Sequence, residues 1–266
     1  MESPRDLALR PVRDIYDEPW TEWTLRTAGT HLHPGREMAT AYLVERAAQF
    51  GFPVGGRILE VASALGGPAR MVARHFSATM ICADLNPLMQ NALRAEAWKE
   101  GIGLRCQSIL SRTERLPIRS ESLDGAWSQD AMCHMDKPAV VAEVARVLKP
   151  GAMFVFSDWI ARAELARDDW ELLGRLWGFP SLLKPDQYVA LLAANGFDLL
   201  VAEDRTFALA AAHRAAPPDD QELFELAYAR KWGEAELVRQ KEPGDAWASL
   251  ARVGKTGVAM FIARKR

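Results

Sequence analysis

The sequence predicts an α/β fold built on a doubly wound, mostly parallel sheet. Short apolar strands alternate with helices between residues 57 and 158, and a turn rich in small residues follows the first of these strands. Parallel strands need a long crossover connection, which a helix supplies. The chain has 266 residues, 49% of them hydrophobic, which is enough to bury a core around such a sheet.

The first half of this alternation follows a polar, aromatic N-terminal segment. Helical spacing of apolar residues, β-branched runs and Gly or Pro stops define each element. In order, we predict a helix over 37–50, a strand over 57–62, a helix over 68–76, a strand over 79–84 and a helix over 88–100.

The second half of the alternation completes the predicted parallel strands. We expect a third strand over 104–106, a fourth over 123–128, a helix over 138–148 that ends at Lys149-Pro150-Gly151, and a fifth strand over 153–158. Beyond residue 160 the chain changes character. Residues 160–195 and 208–252 are mostly helical in pattern, and strands are expected over 197–207 and 256–263.

Composition excludes several functional classes. With 33 Lys and Arg against 35 Asp and Glu, the net charge of −2 argues against a nucleic-acid-binding or membrane-binding protein, since both need a basic surface. The three cysteines, Cys82, Cys106 and Cys133, have neither disulfide nor zinc spacing, so we expect free thiols and no metal. No secretory leader and no apolar run of ~18 residues occurs, so we expect a cytoplasmic protein.

The turn after the first strand has the features of a ligand-binding loop. It runs from Glu60 to Arg70 and is rich in small residues, which allow the backbone to approach a ligand and to offer it N–H groups. Asp84 ends the second strand, at the roughly 20-residue spacing where a carboxylate accepts hydrogen bonds from ribose hydroxyls. The alternative for Asp84 is a turn-forming role before Asn86-Pro87.

Two stretches resemble class I S-adenosylmethionine-dependent methyltransferases. They are ILEVASALGGPARMVARHFSATMICADLNPLM and SLDGAWSQDAMCHMDKPAVVAEVARVLKPGAMFVFSDW. The RVLKPG turn is typical of the small-molecule branch, and GGPAR, SQDAxxH and the Asp158-Trp159 strand end are similar to sarcosine/dimethylglycine methyltransferase-like enzymes. The resemblance implies a Rossmann-like seven-stranded sheet with a closing antiparallel strand and a helical cap.

The resemblance also implies how the chain is organised. We expect one domain over 1–266. It comprises an N-terminal helical cap segment (1–50), a cofactor-binding core (55–160), a helical cap with one sheet strand (161–255) and a closing strand (256–266). Its cofactor would be S-adenosylmethionine, with S-adenosylhomocysteine as product. Its partner would be a small-molecule acceptor of natural-product or amino-acid type, and the chain would be a monomer or homodimer.

By resemblance, the cofactor would contact residues after each of the first four strands and one in the N-terminal segment. Glu60 would orient the turn and, through water, the methionine ammonium, Asp84 would hold the ribose, and Leu85 and Asn86 would flank the adenine. The full set implied is Glu60, Ala62, Ser63, Ala64, Gly66, Asp84, Leu85, Asn86, Ser108, Ile109, Ser128 and His33. For Glu60 and His33, a solvated acid and a histidine that tethers the loop are the alternatives.

The sequence departs from the family at two places. The usual acidic-x-Gly-x-Gly-x-Gly turn is here Glu60-x-Ala62-x-Ala64-x-Gly66. If Ala62 or Ala64 needs a positive φ, its methyl costs about 1 kcal/mol or more and narrows the channel for the methionine tail. The acid often found after the third strand is replaced by Gln107-Ser108-Ile109, where Ser108 could still offer a hydroxyl.

Gln129, Asp130 and His134 are the candidate catalytic residues. They follow the fourth strand, where the family exposes groups to the sulfonium and the acceptor, and His134 lies on the same helical face as Asp130 if a helix begins there. A neutral imidazole suits a general base or an anchor for an acceptor carboxylate. The alternative is a histidine packed under the sheet edge or one that caps a backbone carbonyl.

Tryptophan is unusually frequent, with nine residues against four tyrosines. Six of them lie outside the predicted βα framework, at Trp20, Trp23, Trp170, Trp177, Trp232 and Trp247. They predict an aromatic lid over a bulky or cationic acceptor, with ordinary packing of the cap as the alternative. Rival functions are a cyclase or rearrangement enzyme on the same fold, which the two alanines favour, and a non-catalytic binding protein.

Overall fold

A seven-stranded sheet with the order β3-β2-β1-β4-β5-β7-β6 forms the centre of the molecule. The computed structural model describes residues 16–27, 29–208 and 220–266. The strands are β1 (Arg57–Val61), β2 (Thr79–Asp84), β3 (Cys106–Leu110), β4 (Leu123–Gln129), β5 (Leu148–Ala161), β6 (Phe197–Asp204) and β7 (Thr256–Lys265). Strands β1 to β5 pair in parallel, whereas β7 is antiparallel to both β5 and β6. The predicted fold class and its closing antiparallel strand are therefore confirmed.

Helices cover both faces of the sheet and extend beyond it as a cap. Within the described ranges they are α1 (Glu18–Thr27), α2 (Arg36–Gln49), α3 (Gly67–His75), α4 (Pro87–Lys99), α5 (Lys137–Val147), α6 (Arg167–Trp177), α7 (Pro185–Ala194), α8 (Gln221–Trp232) and α9 (Glu234–Arg252). Of the predicted helical region 208–252, residues 209–219 lie outside the described ranges.

The predicted position of the third strand was wrong. Residues 103–105 form a 3-10 turn, and β3 begins only at Cys106. A side chain at Gly103 would come within 2.4 Å of the Trp98 ring, so helix α4 packs tightly against this turn and delays the strand. The consequence is that Gln107, Ser108 and Ile109 lie inside β3 and not in the loop after it.

Strand β5 is longer than the prediction of 153–158. It starts at Leu148 and includes Lys149-Pro150-Gly151, and it continues to Ala161 because its end pairs with Thr256–Val258 of β7. Strand β6 is shorter than expected and ends at Asp204.

The core has two layers, one on each face of the sheet. One face packs the helix α5 valines and Phe154, Phe156 and Phe261, and the other packs helices α2 to α4 around Trp127. A third cluster, around Trp159, Leu173 and Phe179, joins the cap helices to the end of β5. The order of chain crossovers reverses between β1 and β4, and an open α/β sheet leaves a crevice at such a switch point.

Candidate active site

A cavity of about 630 Å³ lies at the carboxyl ends of β1, β2 and β4. The β1 turn and the Asp84 loop line one end, and the loop after β4 lines the other, together with cap residues from α1, α6 and α9. A volume of this size is typical of a pocket for a small organic ligand. The fold therefore places the glycine-poor turn and the candidate catalytic residues in one continuous space.

The two alanines of the β1 turn adopt the backbone conformation that glycine favours. The φ angles are 50° at Ala62 and 45° at Ala64, and both residues line the cavity. Left-handed backbone costs a Cβ-bearing residue roughly 1–2 kcal/mol. The turn keeps this shape because the Ser63 N–H donates to the Ala83 carbonyl at 3.0 Å and the Ala64 N–H donates to Oδ2 of Asp84 at 2.9 Å.

Gly66 has a packing role and does not line the cavity. Its φ is 72°, and a Cβ here would lie 2.4 Å from the side chain of Leu93. Pro68 follows in the first turn of α3, as predicted, and does line the cavity. The Gly66 position thus sets how closely α3 approaches α4.

Asp84 organises the loop after β2. Its Oδ2 accepts from the Ala64 N–H, and its Oδ1 accepts from the Asn86 N–H at 2.8 Å. Burial raises the pKa of this carboxyl, and the backbone donors lower it in part. Leu85 is exposed and Asn86 half-buried, and both line the cavity beside Asp84. A carboxylate oxygen accepts more than one hydrogen bond, so Asp84 can also take a ligand hydroxyl.

Glu60 lines the same end of the cavity as Asp84. Its side chain is 2% exposed, and Oε2 has no hydrogen-bond partner among the described residues. Burial, assisted by Cys106, raises the pKa of this carboxyl well above its usual range. A buried, unpaired carboxyl oxygen on a cavity wall is costly unless a ligand donor reaches it. Glu60 and Asp84 therefore fit a ligand that carries an ammonium group and hydroxyls, as S-adenosylmethionine does.

Three other predicted cofactor residues, Ser108, Ile109 and Ser128, do not line the cavity. Ser108 and Ile109 lie within β3 and do not line the cavity. Ser128 is buried in β4 behind the lining, and its hydroxyl has no partner within the described ranges.

His33 does line the cavity, and its Nε2 is 3.0 Å from the Thr40 hydroxyl. Burial lowers the pKa of His33 to about 3, so the ring is neutral.

Asp130 lies in a strained position just after β4. Its φ is 50°, and its N–H donates to the Ser157 carbonyl at 2.8 Å, which fixes the turn. Neither carboxyl oxygen has a hydrogen-bond partner in the described part of the chain. Burial and the nearby charge of Asp158 raise the pKa of Asp130 well above its usual range, and the Ser157 side chain offsets part of this. Gln129, the neighbouring lining residue, accepts from Nε1 of Trp127 at 3.0 Å.

His134 lines the cavity and meets the N-terminal segment. It ends a 3-10 turn over Met132–His134, so the helix that would have put it on one face with Asp130 does not begin here. Its Nε2 and the Tyr16 hydroxyl are joined by a 2.6 Å hydrogen bond, and the Phe179 ring contacts it edge-on with centroids 4.9 Å apart. Burial lowers the pKa of His134 to about 4, so the imidazole is neutral near pH 7. The ring therefore contacts the ligand space and is not packed under the sheet.

A polar network supports the loop that carries Asp130 and His134. Buried Asp158 accepts from the Cys133 N–H at 3.0 Å and from the Tyr188 hydroxyl. Buried Lys137 donates to the Ser181 carbonyl at 2.7 Å. The Asp158 bonds tie the loop after β4 to β5 and α7, and the Lys137 bond ties the start of α5 to Ser181, so the loop is held on both sides.

Aromatic side chains close the end of the cavity that carries Asp130 and His134. Trp159, Trp177 and Phe179 form one cluster, with Trp177 stacked on Phe179 at a centroid distance of 5.6 Å, and all three line the cavity. Trp20 lines it from α1 and contacts Tyr16. By contrast, Trp23 packs on Tyr228, Trp232 donates to Glu22, and Trp170 packs against the cap cluster. The side chain of Trp247 is outside the described set.

The sequence reasoning missed two groups of lining residues. Tyr16 lies in the N-terminal segment, and Arg239 and Gln240 come from α9. Arg239 donates to both carboxylate oxygens of Asp17, at 3.1 and 2.9 Å, which connects α9 to the N-terminal segment. No local pattern marks these residues, because Tyr16 meets His134, 118 positions away, and Arg239 meets Asp17, 222 positions away.

The described residues offer neither a metal site nor a membrane-spanning helix. No group of three or more His, Cys, Asp or Glu side chains there could hold a metal ion. None of the helices in the described ranges is long and apolar enough to span a membrane.

Comparison with known proteins identifies the family. The family described as "Methyltransferase domain" matches residues 59–156. Over 216 residues, 75% of this chain and 77% of the relative, the chain is 32% identical to Methyltransferase GfsG of Streptomyces halstedii. The chain belongs to the S-adenosylmethionine-dependent methyltransferases. The matched segment runs from β1 to the middle of β5, the part that carries the turn, Asp84 and Asp130.

Two further proteins are similar to this chain, one in sequence and one in fold. The chain is 30% identical over 204 residues to 24-methylenesterol C-methyltransferase 2 of Oryza sativa subsp. japonica, which covers 71% of this chain and 54% of that protein. It thus spans about half the length of this relative. A solved structure assigned as a sarcosine dimethylglycine methyltransferase of Galdieria sulphuraria matches 94% of this chain and 98% of that one, with a TM-score of 0.79 and 20% identity. This similarity shows the shared fold.

Proposed function

We propose that the chain transfers a methyl group from S-adenosylmethionine to a small-molecule acceptor and releases S-adenosylhomocysteine. One observation carries the proposal. A single cavity joins the β1 turn and Asp84, at one end, to Asp130, His134 and the indoles at the other. Methyl transfer needs the donor and the acceptor in line in one water-excluded space, and this cavity is continuous between the two ends.

The residues proposed to hold the cofactor are those that line the first end. Asp84 accepts from the ribose hydroxyls, Leu85 and Asn86 flank the adenine, and Glu60 faces the methionine ammonium directly or through water. Ala62, Ser63 and Ala64 supply the backbone beside the methionine tail, and His33 contacts it from the N-terminal segment. Bound there, the cofactor supplies a sulfonium methyl group and the driving force of its transfer.

The residues at the acceptor end align the acceptor, exclude water and handle a proton. Trp20, Trp159, Trp177 and Phe179 cover the acceptor, and their faces stabilise positive charge. Neutral His134 takes the proton that an acceptor loses as it is methylated, and Tyr16 orients its ring. Asp130, buried and without a partner within the described ranges, offers a carboxyl to a cationic group beside the reacting atom.

The acceptor is an amine, an oxygen or a carbon centre. The relatives named above include a C-methyltransferase of 24-methylenesterols, and the fold is shared with a sarcosine dimethylglycine methyltransferase. The apolar and aromatic lining favours a bulky acceptor of the natural-product type. The proposal also includes a cytoplasmic location, which the three free, buried cysteines support, and a monomer or homodimer.

Calorimetry with S-adenosylmethionine and S-adenosylhomocysteine tests the cofactor part. Micromolar binding of both supports the proposal, and the absence of heat at millimolar ligand contradicts it. Transfer is tested with methyl-labelled S-adenosylmethionine and a panel of acceptors: sarcosine, dimethylglycine, a 24-methylenesterol and geranyl diphosphate. Labelled product from any member identifies the acceptor class.

A second function is favoured by the strained alanines. Ala62 and Ala64 have φ angles of 50° and 45°, and their methyl groups narrow the channel for the methionine tail. This suits a family member that has lost methyl transfer and catalyses a cyclisation or rearrangement in the cap cavity. In that case the same calorimetry shows weak or no cofactor binding. An acceptor-like molecule would bind without cofactor.

A further inference from the structure

Asn86 makes two kinds of contact with one side-chain amide. Its Oδ1 accepts from the N–H groups of Leu88 and Met89, at 2.9 and 3.4 Å, and so caps helix α4. Because two N–H donors face Oδ1, the orientation of the amide is fixed and Nδ2 points away from the helix. Nδ2 donates to the backbone carbonyl of Tyr16 at 2.9 Å, which joins residues 70 positions apart.

This bond is the middle link of an unbroken hydrogen-bonded chain. Asp84 Oδ1 accepts from the Asn86 N–H at 2.8 Å, Asn86 holds the Tyr16 carbonyl, and the Tyr16 hydroxyl meets His134 Nε2 at 2.6 Å. The chain runs from the proposed ribose ligand to the proposed base. All four residues line the same cavity.

We infer that Asn86 is a positioning residue that couples cofactor binding at Asp84 to the placement of Tyr16 over the acceptor site. The inference rests on the proposed function, because it assumes that the cofactor occupies the Asp84 loop. A ligand on this loop restricts the motion of Asp84, Leu85 and Asn86. Through the Nδ2 bond it then restricts the N-terminal segment, which carries Tyr16 and Trp20.

The coupling has a direction that favours ordered binding. In the inferred coupling, the Asp84 loop and the segment that carries Tyr16 separate more often before the cofactor binds, which opens the proposed acceptor end. Once the cofactor holds the loop, the segment closes over His134 and completes the aromatic wall with Trp20. By linkage, closure of this segment slows cofactor release by the same coupling free energy.

Two substitutions remove the Nδ2 donor and keep the helix cap. Asp and Ser are as good as Asn at an N-cap, so Asn86→Asp and Asn86→Ser retain the acceptor for Leu88 and Met89. Asn86→Ser also adds no charge beside Asp84. The matched control is Asn91→Asp, the same change of residue on the same helix at an exposed position whose side chain accepts from Arg94.

The measurement is hydrogen exchange of the peptide that covers residues 16–27, with and without saturating S-adenosylhomocysteine, with affinities from calorimetry. In the parent protein and in Asn91→Asp, the ligand should slow exchange of this peptide about fivefold or more. In Asn86→Asp and Asn86→Ser the ligand should bind more weakly, because Asn86 also flanks the adenine and the coupling is lost, and at saturating ligand the slowing should fall below about twofold.

The outcomes separate this inference from the proposed function. Ligand-induced protection of 16–27 that is equal in the parent and both Asn86 variants overturns the coupling and leaves the function intact. A parent protein that gives no calorimetric binding overturns the proposed function, and the coupling with it. Loss of protection in Asn91→Asp as well overturns the assignment to the Nδ2 bond.

Discussion

The hydroxyl of Tyr16 and Nε2 of His134 lie 2.6 Å apart, at the point where the N-terminal segment meets the loop after β4. Burial keeps His134 neutral and raises the pKa of Tyr16, so near pH 7 a neutral phenol faces a neutral imidazole. With the imidazole proton on Nδ1, Tyr16 donates to Nε2, so in the proposed reaction the acceptor proton passes to the Tyr16 oxygen as the Tyr16 proton passes to Nε2.

Removal of the Tyr16 hydroxyl should therefore reduce turnover without loss of cofactor binding. We expect Tyr16→Phe to lower kcat by about 10- to 100-fold and His134→Gln by about 100-fold or more, the range for a positioned acid–base group. Methyl transfer to the acceptor identified from the panel measures this. The double variant should be no slower than His134→Gln, because Tyr16 acts through His134. Additive losses would show that the two residues act independently.

Replacement of Asp84 should weaken cofactor binding. Asp84→Ala removes the proposed ribose acceptor and the bonds to the Ala64 and Asn86 N–H groups, and we expect the Kd for S-adenosylhomocysteine to rise about 5- to 150-fold, or ~1–3 kcal/mol. Calorimetry measures it.

Asp124→Ala is the matched control for Asp84. Asp124 also accepts a backbone N–H, from Arg57 at 2.8 Å, but it lies at the opposite end of the sheet. Asp124→Ala should lower the free energy of unfolding and leave the Kd for S-adenosylhomocysteine unchanged. An unaltered Kd in Asp84→Ala would remove the ribose assignment.

Glycine at either alanine of the β1 turn should stabilise the protein. The left-handed backbone at Ala62 and Ala64 costs roughly 1–2 kcal/mol each, and the entropy that glycine adds to the unfolded chain offsets part of the gain. Ala62→Gly and Ala64→Gly should each raise the free energy of unfolding by roughly 0.5–1 kcal/mol in urea titrations.

The same variants test whether the alanine methyls narrow the cofactor channel. If they do, S-adenosylhomocysteine should bind more tightly to the glycine variants than to the parent. Ala69→Gly, in the regular helix α3, is the control and should destabilise by about 1 kcal/mol. Destabilisation by glycine at position 62 or 64 would contradict the strain argument.

Two buried histidines should make the protein less stable in mild acid. Burial lowers the pKa of His33 to about 3 and of His134 to about 4, whereas an unfolded histidine titrates near 6.5. Below pH 6.5 the unfolded chain binds protons that the folded chain does not, so stability falls as the pH falls toward 4. His33→Gln and His134→Gln should each reduce this loss by about 1 kcal/mol per pH unit.

Urea unfolding near pH 7 and near pH 5 measures this dependence. The raised pKa values of Glu60 and Asp130 act in the opposite sense, so the relevant quantity is the difference between each variant and the parent protein. His75→Gln, at an exposed histidine, is the control. A pH dependence in His33→Gln equal to that of the parent would contradict the assignment.

Local sequence patterns were sufficient for most of the sheet and for one end of the site. The strand ends at Val61 and Asp84 were predicted within one residue, because apolar runs closed by Gly, Asn or Pro mark a βα unit locally. The third strand was misplaced because apolar Leu104 belongs to a 3-10 turn whose Gly103 packs against Trp98. That packing also moved Ser108 and Ile109 out of the predicted cofactor site.

The sequence by itself determined the fold class, the family and the residues of the β1 turn and Asp84 loop, because these depend on neighbours in the chain. Only the tertiary structure decided which residues join His134 at the proposed acceptor end. Tyr16 and Arg239 come from distant segments, and they line the same cavity because α1 and α9 pack across the crevice at the switch point. It also decided that Ala62 and Ala64 adopt positive φ, since the backbone bonds to Ala83 and Asp84 impose that turn on residues that disfavour it.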